Sequence, residues 1–261
     1  MKVAIVGDSF IDEYVFGEVN RVSPEAPVPV LDVKRREERG GGAINVANNL
    51  YALGIEPTLF TITKKLILPY EVVRPTGCPK VTPLRKIRFI GNNFQLLRVD
   101  EPPRYLKRDL KRMIYPSFED FEIIAFVDYD KGIIQGGEAT IVDSKKRDLS
   151  VFKGSKILKI NKKEYENAQG AEIFEKAFIT QGEKGIKYYE FGDFVAKEPA
   201  QVKEVIDVTG AGDTVMATLI YCLVKGIDDP KEMMKLANKA AGIVISKFGT
   251  STVSEKELLG G

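Results

Sequence analysis

Four short apolar runs in this chain end in the same way. Val3-Ala4-Ile5-Val6-Gly7 runs into Asp8, Ile123-Ile124-Ala125-Phe126-Val127 into Asp128, Thr140-Ile141-Val142 into Asp143, and Ile157-Leu158-Lys159-Ile160 into Asn161. Runs this short and this continuously apolar suit strands buried on both faces, as in parallel sheets covered by helices. In such a sheet the ligand lies beyond the carboxyl ends of the strands, so the four terminal Asp and Asn side chains would line one rim. The pattern predicts an α/β fold with a mainly parallel central sheet flanked by helices.

Helical periodicity supplies the flanks. Gly41 to Gly54 places Ile44, Ala47, Leu50 and Tyr51 on one face and stops at glycine. Behind Val208-Thr209-Gly210-Ala211-Gly212-Asp213-Thr214 a second helix carries Val215, Met216, Leu219, Ile220, Leu223 and Val224, with Gly226 as its stop. A third starts with Asp229 as N-cap, Pro230 and Glu232, and continues through Met234, Ala237, Ala241 and Val244. Tyr14 to Val19, Val28 to Lys34 and Leu84 to Asp100 are instead rich in β-formers, and Gly91-Asn92-Asn93 reads as a hairpin turn. These segments predict a discontinuous β lid, roughly 12–36 and 83–100, on a single domain spanning 1–261.

Composition narrows the chemistry. With 261 residues, 44% of them hydrophobic, the chain can bury one large core and carry a small appendage. Lys+Arg 39 against Asp+Glu 37 gives a formal +2, which points away from nucleic acid as a partner. The absence of histidine excludes Ser-His-Asp and Cys-His catalysis and histidine metal sites, leaving acid–base work to carboxylates, Lys or Tyr. Cys78 and Cys222 have no metal or CxxC spacing and read as one loop thiol and one buried helix thiol. No apolar run approaches the roughly 18 residues of a membrane helix, and the chain opens directly on a strand. The expectation is a soluble, cytoplasmic protein with no membrane partner.

Gly210 and Gly212 let the backbone approach a ligand and leave N–H groups free at a helix start, where the dipole favours an anion. A carboxylate at Asp213 beside such an anion hole is costly unless a proton is to be taken there, which suggests phosphoryl transfer to an alcohol. The Gly-Ala-Gly pattern alone also fits a tightly packed helix start.

Three segments, in order, resemble signatures of the PfkB, or ribokinase-like, carbohydrate kinases: Gly40-Gly41-Gly42-Ala43-Ile44-Asn45-Val46-Ala47, the Asn-x-x-Glu element Asn161-Lys162-Lys163-Glu164, and Asp207-Val208-Thr209-Gly210-Ala211-Gly212-Asp213-Thr214. Ser23-Pro24-Glu25-Ala26-Pro27-Val28-Pro29-Val30, Asp128-Tyr129-Asp130-Lys131-Gly132 and Lys247-Phe248-Gly249-Thr250-Ser251-Thr252-Val253-Ser254 are similar to the D-glycero-D-manno-heptose 7-phosphate kinases, a likeness that spans nearly the whole chain.

The resemblance implies a ribokinase-like three-layer fold and ATP-dependent transfer of the γ-phosphoryl group to a sugar hydroxyl, O-1 of the heptose phosphate. It implies ATP, Mg²⁺ and a monovalent cation (K⁺) as cofactors, and a homodimer through the lid. Asp213 would be the general base, with the backbone of Gly210, Ala211 and Gly212 as anion hole. Asp8, Asp12, Gly41, Gly42, Asn45 and Asp128 would hold the sugar. Lys86, Arg88 and Arg98 would bind its phosphate, although a charged face blunting an edge strand explains them equally well. Lys145, Thr180, Gly182, Gly185, Thr209, Asn238 and Gly242 would contact the nucleotide, where turns and close helix packing are the competing explanations. Asn161 and Glu164 would position phosphate and reach Mg²⁺ through its water shell. Gly249, Thr250 and Ser251 would shape either a loop under the nucleotide or the monovalent-cation site.

The chain also departs from that group. Asn92 stands where arginine is expected, 61–80 is brief for the usual helix, and 132–139 leaves little room for a crossover helix between parallel strands. It ends just after Glu257-Leu258-Leu259, so no fused nucleotidyltransferase is expected. Two other readings stay open: a related kinase of a neutral sugar (ribose, fructose) or a nucleoside, and a catalytically silent sugar- or nucleotide-binding protein, for which the missing helices speak.

Overall fold

The computed structural model describes residues 1–63, 66–79, 82–105, 107–201 and 204–260. Its strands are β1 (Val3–Gly7), β2 (Ser9–Val22), β3 (Pro29–Gly42), β4 (Pro57–Phe60), β5 (Val72–Val73), β6 (Arg85–Gly91), β7 (Phe94–Glu101), β8 (Ile123–Asp128), β9 (Ile141–Ser144), β10 (Ile157–Asn161), β11 (Lys176–Thr180), β12 (Ile186–Glu190) and β13 (Asp193–Glu198). The helices are α1 (Ala43–Ala52), α2 (Lys107–Leu110), α3 (Lys162–Asn167), α4 (Ala211–Val224), α5 (Pro230–Ile245) and α6 (Glu255–Leu259).

The four apolar runs lie side by side in a nine-stranded sheet, ordered β13-β12-β11-β10-β9-β8-β1-β4-β5 among the described residues. Among the described residues pairing is parallel from β11 to β5, and the β11–β12 and β12–β13 pairs at one edge are antiparallel. Register decides which polar ends share the rim. Gly7 pairs with Val127 and Asp128 with Ser144, so Asp8 and Asp128 emerge together. Asp143, level with Gly7 and Val127, pairs with Lys159 on the neighbouring strand and is buried, as Asp8 and Asp128 are.

One sheet face is covered by α1, α4, α5 and α6, whose apolar side chains merge with those of β1 and β8 in one cluster containing Ile44, Leu50, Met216, Leu219, Ile220 and Met234. α4 is buried nearly all round, as its almost unbroken apolar sequence requires. Tyr51 departs from the expected α1 face: it is 45% exposed and rests against Tyr70 at 6.0 Å. Cys222 is buried in α4 and Cys78 is partly exposed, both as free thiols. Among the described residues the opposite face carries the short α2 and α3, the 3-10 turns Ser150–Phe152 and Ala171–Ile173, and irregular chain. Phe118 and Phe121 meet Phe60 edge-on at 5.0 and 5.6 Å and do much of the covering that a longer helix would do. Among the described residues no helix occupies 61–80, and β8 reaches the adjacent β9 through 129–140 without one. The fold has three layers, with one outer layer thin.

The second sheet, ordered β3-β2-β6-β7, is the lid. It spans 9–42 and 85–101, further than expected, because β2 follows β1 directly after Asp8 and β3 runs straight into α1. Asn92 (φ 52°) and Asn93 (φ 70°) make the two-residue turn, both in the left-handed region that a twisted hairpin demands. The Asn92 amide also ties the turn to β2: Val19 N–H donates to its Oδ1 at 3.3 Å and its Nδ2 donates to Val19 O at 3.2 Å. No described helix is long and apolar enough to cross a membrane.

Candidate functional site

The carboxyl ends of β1 and β8, the first turns of α1 and α4, and the lid converge on Asp213. This carboxylate lies in the first turn of α4 and is 4% exposed. Tyr129 Oη donates to its Oδ1 at 2.6 Å and Asn45 Nδ2 to its Oδ2 at 2.9 Å. Burial raises its pKa, while those two donors and the Lys159 charge act in the opposite direction. Gly210, with φ of 83°, is required here, because a Cβ would stand 2.6 Å from the Asn45 amide nitrogen.

No side chain caps α4. The first N–H groups of a helix have no intrahelical acceptor, so those of Gly212 and Asp213 are available to an anion. Ala211 N–H donates instead to Val208 O at 3.3 Å, which narrows the expected anion hole. Beneath it lies Lys159, a residue the sequence reading passed over. Its Nζ donates to Asp143 Oδ2 at 2.6 Å and would be 3.2 Å from a Cβ on Gly212. Burial works against this ammonium, and Asp143 more than offsets it, so Lys159 stays charged under the helix start. A single lysine within the apolar run Ile157 to Ile160 was the available signal.

Asp8, expected to hold the sugar, is buried. Its Oδ2 accepts from Tyr129 N–H at 2.7 Å and Lys131 N–H at 3.1 Å, while its Oδ1 has no partner. Burial pushes this carboxyl up to about 6 against the two amides. Gly42 (φ 63°) passes directly under the Asp8 carbonyl, and Gly41 lies against the Phe10 ring and the Asp12 carboxylate. Asp12 itself is bound by Arg88, and both are buried. Asp12, expected to hold the sugar, and Arg88, expected to bind its phosphate, thus hold each other. Asp128 also departs from expectation: its oxygens accept from Asp130 N–H, from Ser144 Oγ at 2.7 Å and from Lys146 Nζ at 2.7 Å, so its work is internal.

A cavity of about 380 Å³ between lid and body is bordered by Lys86, Arg98, Asp100, Tyr129, Lys131 and Lys145. Lys86 Nζ sits 3.5 Å over the Phe10 ring, and burial takes its pKa down to about 8. Arg98 makes two bonds of 2.7 Å with Asp100. Lys131, and Lys145 on this side, were not foreseen; Lys145 Nζ lies 3.9 Å over the Tyr129 ring and 3.9 Å from Glu164 Oε1.

Across the α4 N-terminus lies a larger cavity of about 840 Å³. Thr180, Gly182, Gly185, Asn238 and Gly242, all predicted for the nucleotide, border it with Ala211 and Gly212. Asn238 Nδ2 donates to Glu198 O at 3.0 Å and Pro199 O at 3.1 Å, and Gly242 packs beneath Gln201 O. Thr209 stands on the turn before α4, its N–H donating to Asp207 Oδ1 at 2.9 Å. Asn161 and Glu164 do not border this cavity. They form a reciprocal cap at the start of α3, each accepting from the other's N–H at 2.9 and 3.1 Å, beside a separate 380 Å³ recess with Lys145. The Asn-x-x-Glu spacing is also that of a capping box. Among the described residues no three His, Cys, Asp or Glu side chains cluster to hold a metal. Gly249 N–H donates to Asp207 Oδ2 at 3.0 Å, Thr250 N–H to Tyr14 Oη at 3.2 Å, and Thr250 Oγ1 is buried without a partner.

A family described as pfkB family carbohydrate kinase matches residues 139–257. A protein named bifunctional protein HldE in Desulfatibacillum aliphaticivorans is 34% identical, covering 98% of this chain, and its namesake in Geobacter sulfurreducens is 35% identical, covering 100%. The chain spans 62% of the length of each. Among solved structures, a Methanocaldococcus jannaschii nucleoside kinase of the ribokinase family superposes with a TM-score of 0.73 at 19% identity, covering 100% of this chain and 97% of its own. Phosphofructokinase-2 of Escherichia coli gives 0.73 at 15%, covering 100% and 98%. The fold is ribokinase-like, and residues 139–257 match the pfkB family of carbohydrate kinases.

Proposed function

We propose that this chain is an ATP-dependent sugar kinase that transfers the γ-phosphoryl group to O-1 of D-glycero-D-manno-heptose 7-phosphate. One observation carries the reading: a buried carboxylate, Asp213, stands at an uncapped helix start between an 840 Å³ cavity and a 380 Å³ basic one. Asp213 accepts the proton of the attacking hydroxyl as that oxygen bonds to the γ-phosphorus and the bond to ADP breaks. The N–H groups of Gly212 and Asp213, with Lys159 behind them, oppose the charge that gathers on the transferred group. The partnerless Oδ1 of Asp8 is an acceptor left for a sugar hydroxyl.

Donor-set chemistry fits the larger cavity to a nucleotide, with Thr180, Gly182 and Gly185 near its phosphates and Asn238 and Gly242 near its base. Mg²⁺ would neutralise phosphate charge and would be held through its water shell by Asn161 and Glu164, whose Oε1 lies 3.9 Å from Lys145 Nζ. The loop of Gly249, Thr250 and Ser251, with the unpartnered Thr250 Oγ1, is the candidate for a monovalent cation. The lid exposes Val22, Val28, Val33, Phe94 and Leu97, which supports association of two copies through it. ATP use implies a cytoplasmic location.

The 7-phosphate reading rests on sequence likeness to heptose 7-phosphate kinases, on the HldE relatives and on the basic cavity. A neutral-sugar kinase is favoured by a different observation, since Arg88 is paired with Asp12 and Arg98 with Asp100. A coupled ADP-release screen over heptose 7-phosphate, other sugar phosphates, free hexoses, ribose and nucleosides separates them. Heptose 7-phosphate should be fastest, and Arg98→Glu should raise its KM by roughly 10–100-fold, the scale of one charged hydrogen bond. An unchanged KM would favour the neutral sugar.

A further inference from the structure

Tyr129 stands on the turn after β8, between the base and the basic cavity. Its hydroxyl donates to Asp213 Oδ1 at 2.6 Å, and its ring meets Phe10 edge-on with centroids 5.1 Å apart. The ammonium groups of Lys145 and Lys86 lie 3.9 and 5.4 Å from that ring's centroid. Its main chain is fixed from behind, because the N–H groups of Tyr129 and Lys131 both donate to Asp8 Oδ2. The side chain therefore has little freedom to leave the base.

We infer that Tyr129 is a positioning residue for phosphoryl transfer: its hydroxyl, opposite the Asn45 amide, holds the Asp213 carboxylate oriented and ionised as a base requires. This rests on the kinase reading above. An ionised carboxylate offers about four acceptor positions, two on each oxygen. Tyr129 takes one on Oδ1 and Asn45 one on Oδ2, so each oxygen keeps a lone pair for the attacking hydroxyl. Burial alone would favour the protonated, useless form. The charged groups that face Asp213 are Lys159 on β10 and Lys86 on β6, which favour ionisation, and Asp143 on β9, which opposes it. Tyr129 and Asn45 are the groups that touch it by hydrogen bond, and donors to the charged form stabilise that form. The Tyr129 phenol is itself held well above its ordinary pKa by burial, so it remains a donor wherever the enzyme works.

Tyr129→Phe keeps the ring, its packing and its cation contacts and removes only the hydroxyl. Carbon-13 NMR of aspartate carboxyls, with Asp213→Asn identifying the Asp213 signal, should show its titration midpoint rising by about one pH unit or more in Tyr129→Phe. The acid limb of kcat should move by the same amount, with turnover regained above it and KM for the sugar phosphate within about twofold. A simple packing role would lower kcat at every pH and leave the midpoint in place. The reciprocal measurement needs no Tyr129 variant: in Asp213→Asn the Tyr129 phenol should titrate at lower pH than in the wild type. Unmoved midpoints in either measurement overturn the inference. Shifted midpoints in a protein that releases ADP with no sugar would leave the Tyr129 contact standing and sink the kinase reading instead.

Discussion

Gly210→Ala reports on the packing that aims Asp213, the proposed base. Gly210 sits at φ 83°, where an L-residue costs about 1–2 kcal/mol. The new Cβ would also meet Asn45 Nδ2 at 2.6 Å and Thr250 Cγ2 at 3.5 Å. The second contact is ordinary, whereas the first forces Asn45 to move. Asn45 is 1% exposed and has no room to swing clear without giving up its 2.9 Å bond to Asp213 Oδ2, a charged hydrogen bond of about 1.5–3 kcal/mol. Together these give a loss of about 3–5 kcal/mol in folding stability. In an Asn45→Ala background the obstructing amide and its bond are already gone, so the same change should cost only the backbone part, about 1–2 kcal/mol. Urea midpoints of wild type, both single variants and the double variant measure the coupling, expected near 2 kcal/mol. Equal costs of Gly210→Ala in the two backgrounds would refute the reasoning.

Other consequences can be checked with the same preparations. Lys159→Met leaves Asp143 buried without its partner and should destabilise the fold by about 3–5 kcal/mol, with much of that recovered in Lys159→Met/Asp143→Leu; a loss under about 1 kcal/mol in the single variant contradicts the buried pair. Asp8 has a native pKa raised from 3.8 to about 6, so the folded state holds its proton more tightly than the unfolded chain does. The stability this contributes is whole below about pH 4 and is lost as pH rises through about 6, amounting to about 3 kcal/mol. Asp8→Asn abolishes that dependence, so the stability of the variant relative to wild type should climb by that amount between pH 4 and 7 in urea titrations. A constant difference would show that Asp8 is not buried as found.

Much of this architecture was legible because it is local. The runs ending at Asp8, Asp128, Asp143 and Asn161 became four successive neighbours in the sheet, β1, β8, β9 and β10, since a strand buried on both faces cannot alternate polar and apolar residues. Gly210 and Gly212 opened a helix, and the expected nucleotide contacts Thr180, Gly182, Gly185, Asn238 and Gly242 share one cavity. The departures are non-local. Asp12 pairs with Arg88 because β2 and β6 run parallel with Asp12 opposite Lys86, a register no local pattern states. Asp128 was expected at the sugar from its strand-end position and the family resemblance, and the placement of Ser144 and Lys146 shows where its oxygens turn. Tyr129 was visible within Asp128-Tyr129-Asp130-Lys131-Gly132, yet its reach to Asp213 depends on chain folded from the far end of the sequence. Asn161 and Glu164 matched two patterns at once, and the structure shows the capping one.

The central claim is that Asp213 takes a proton from a bound sugar hydroxyl. The direct measurement is sugar-dependent ADP release at saturating ATP and heptose 7-phosphate, comparing wild type with Asp213→Asn, alongside nucleotide affinity by calorimetry. Asparagine keeps the size of the side chain and cannot act as a base, so turnover should fall by about 10²–10⁴-fold while nucleotide affinity stays within a few-fold. Near wild-type turnover in Asp213→Asn, with the same nucleotide affinity, would contradict the account.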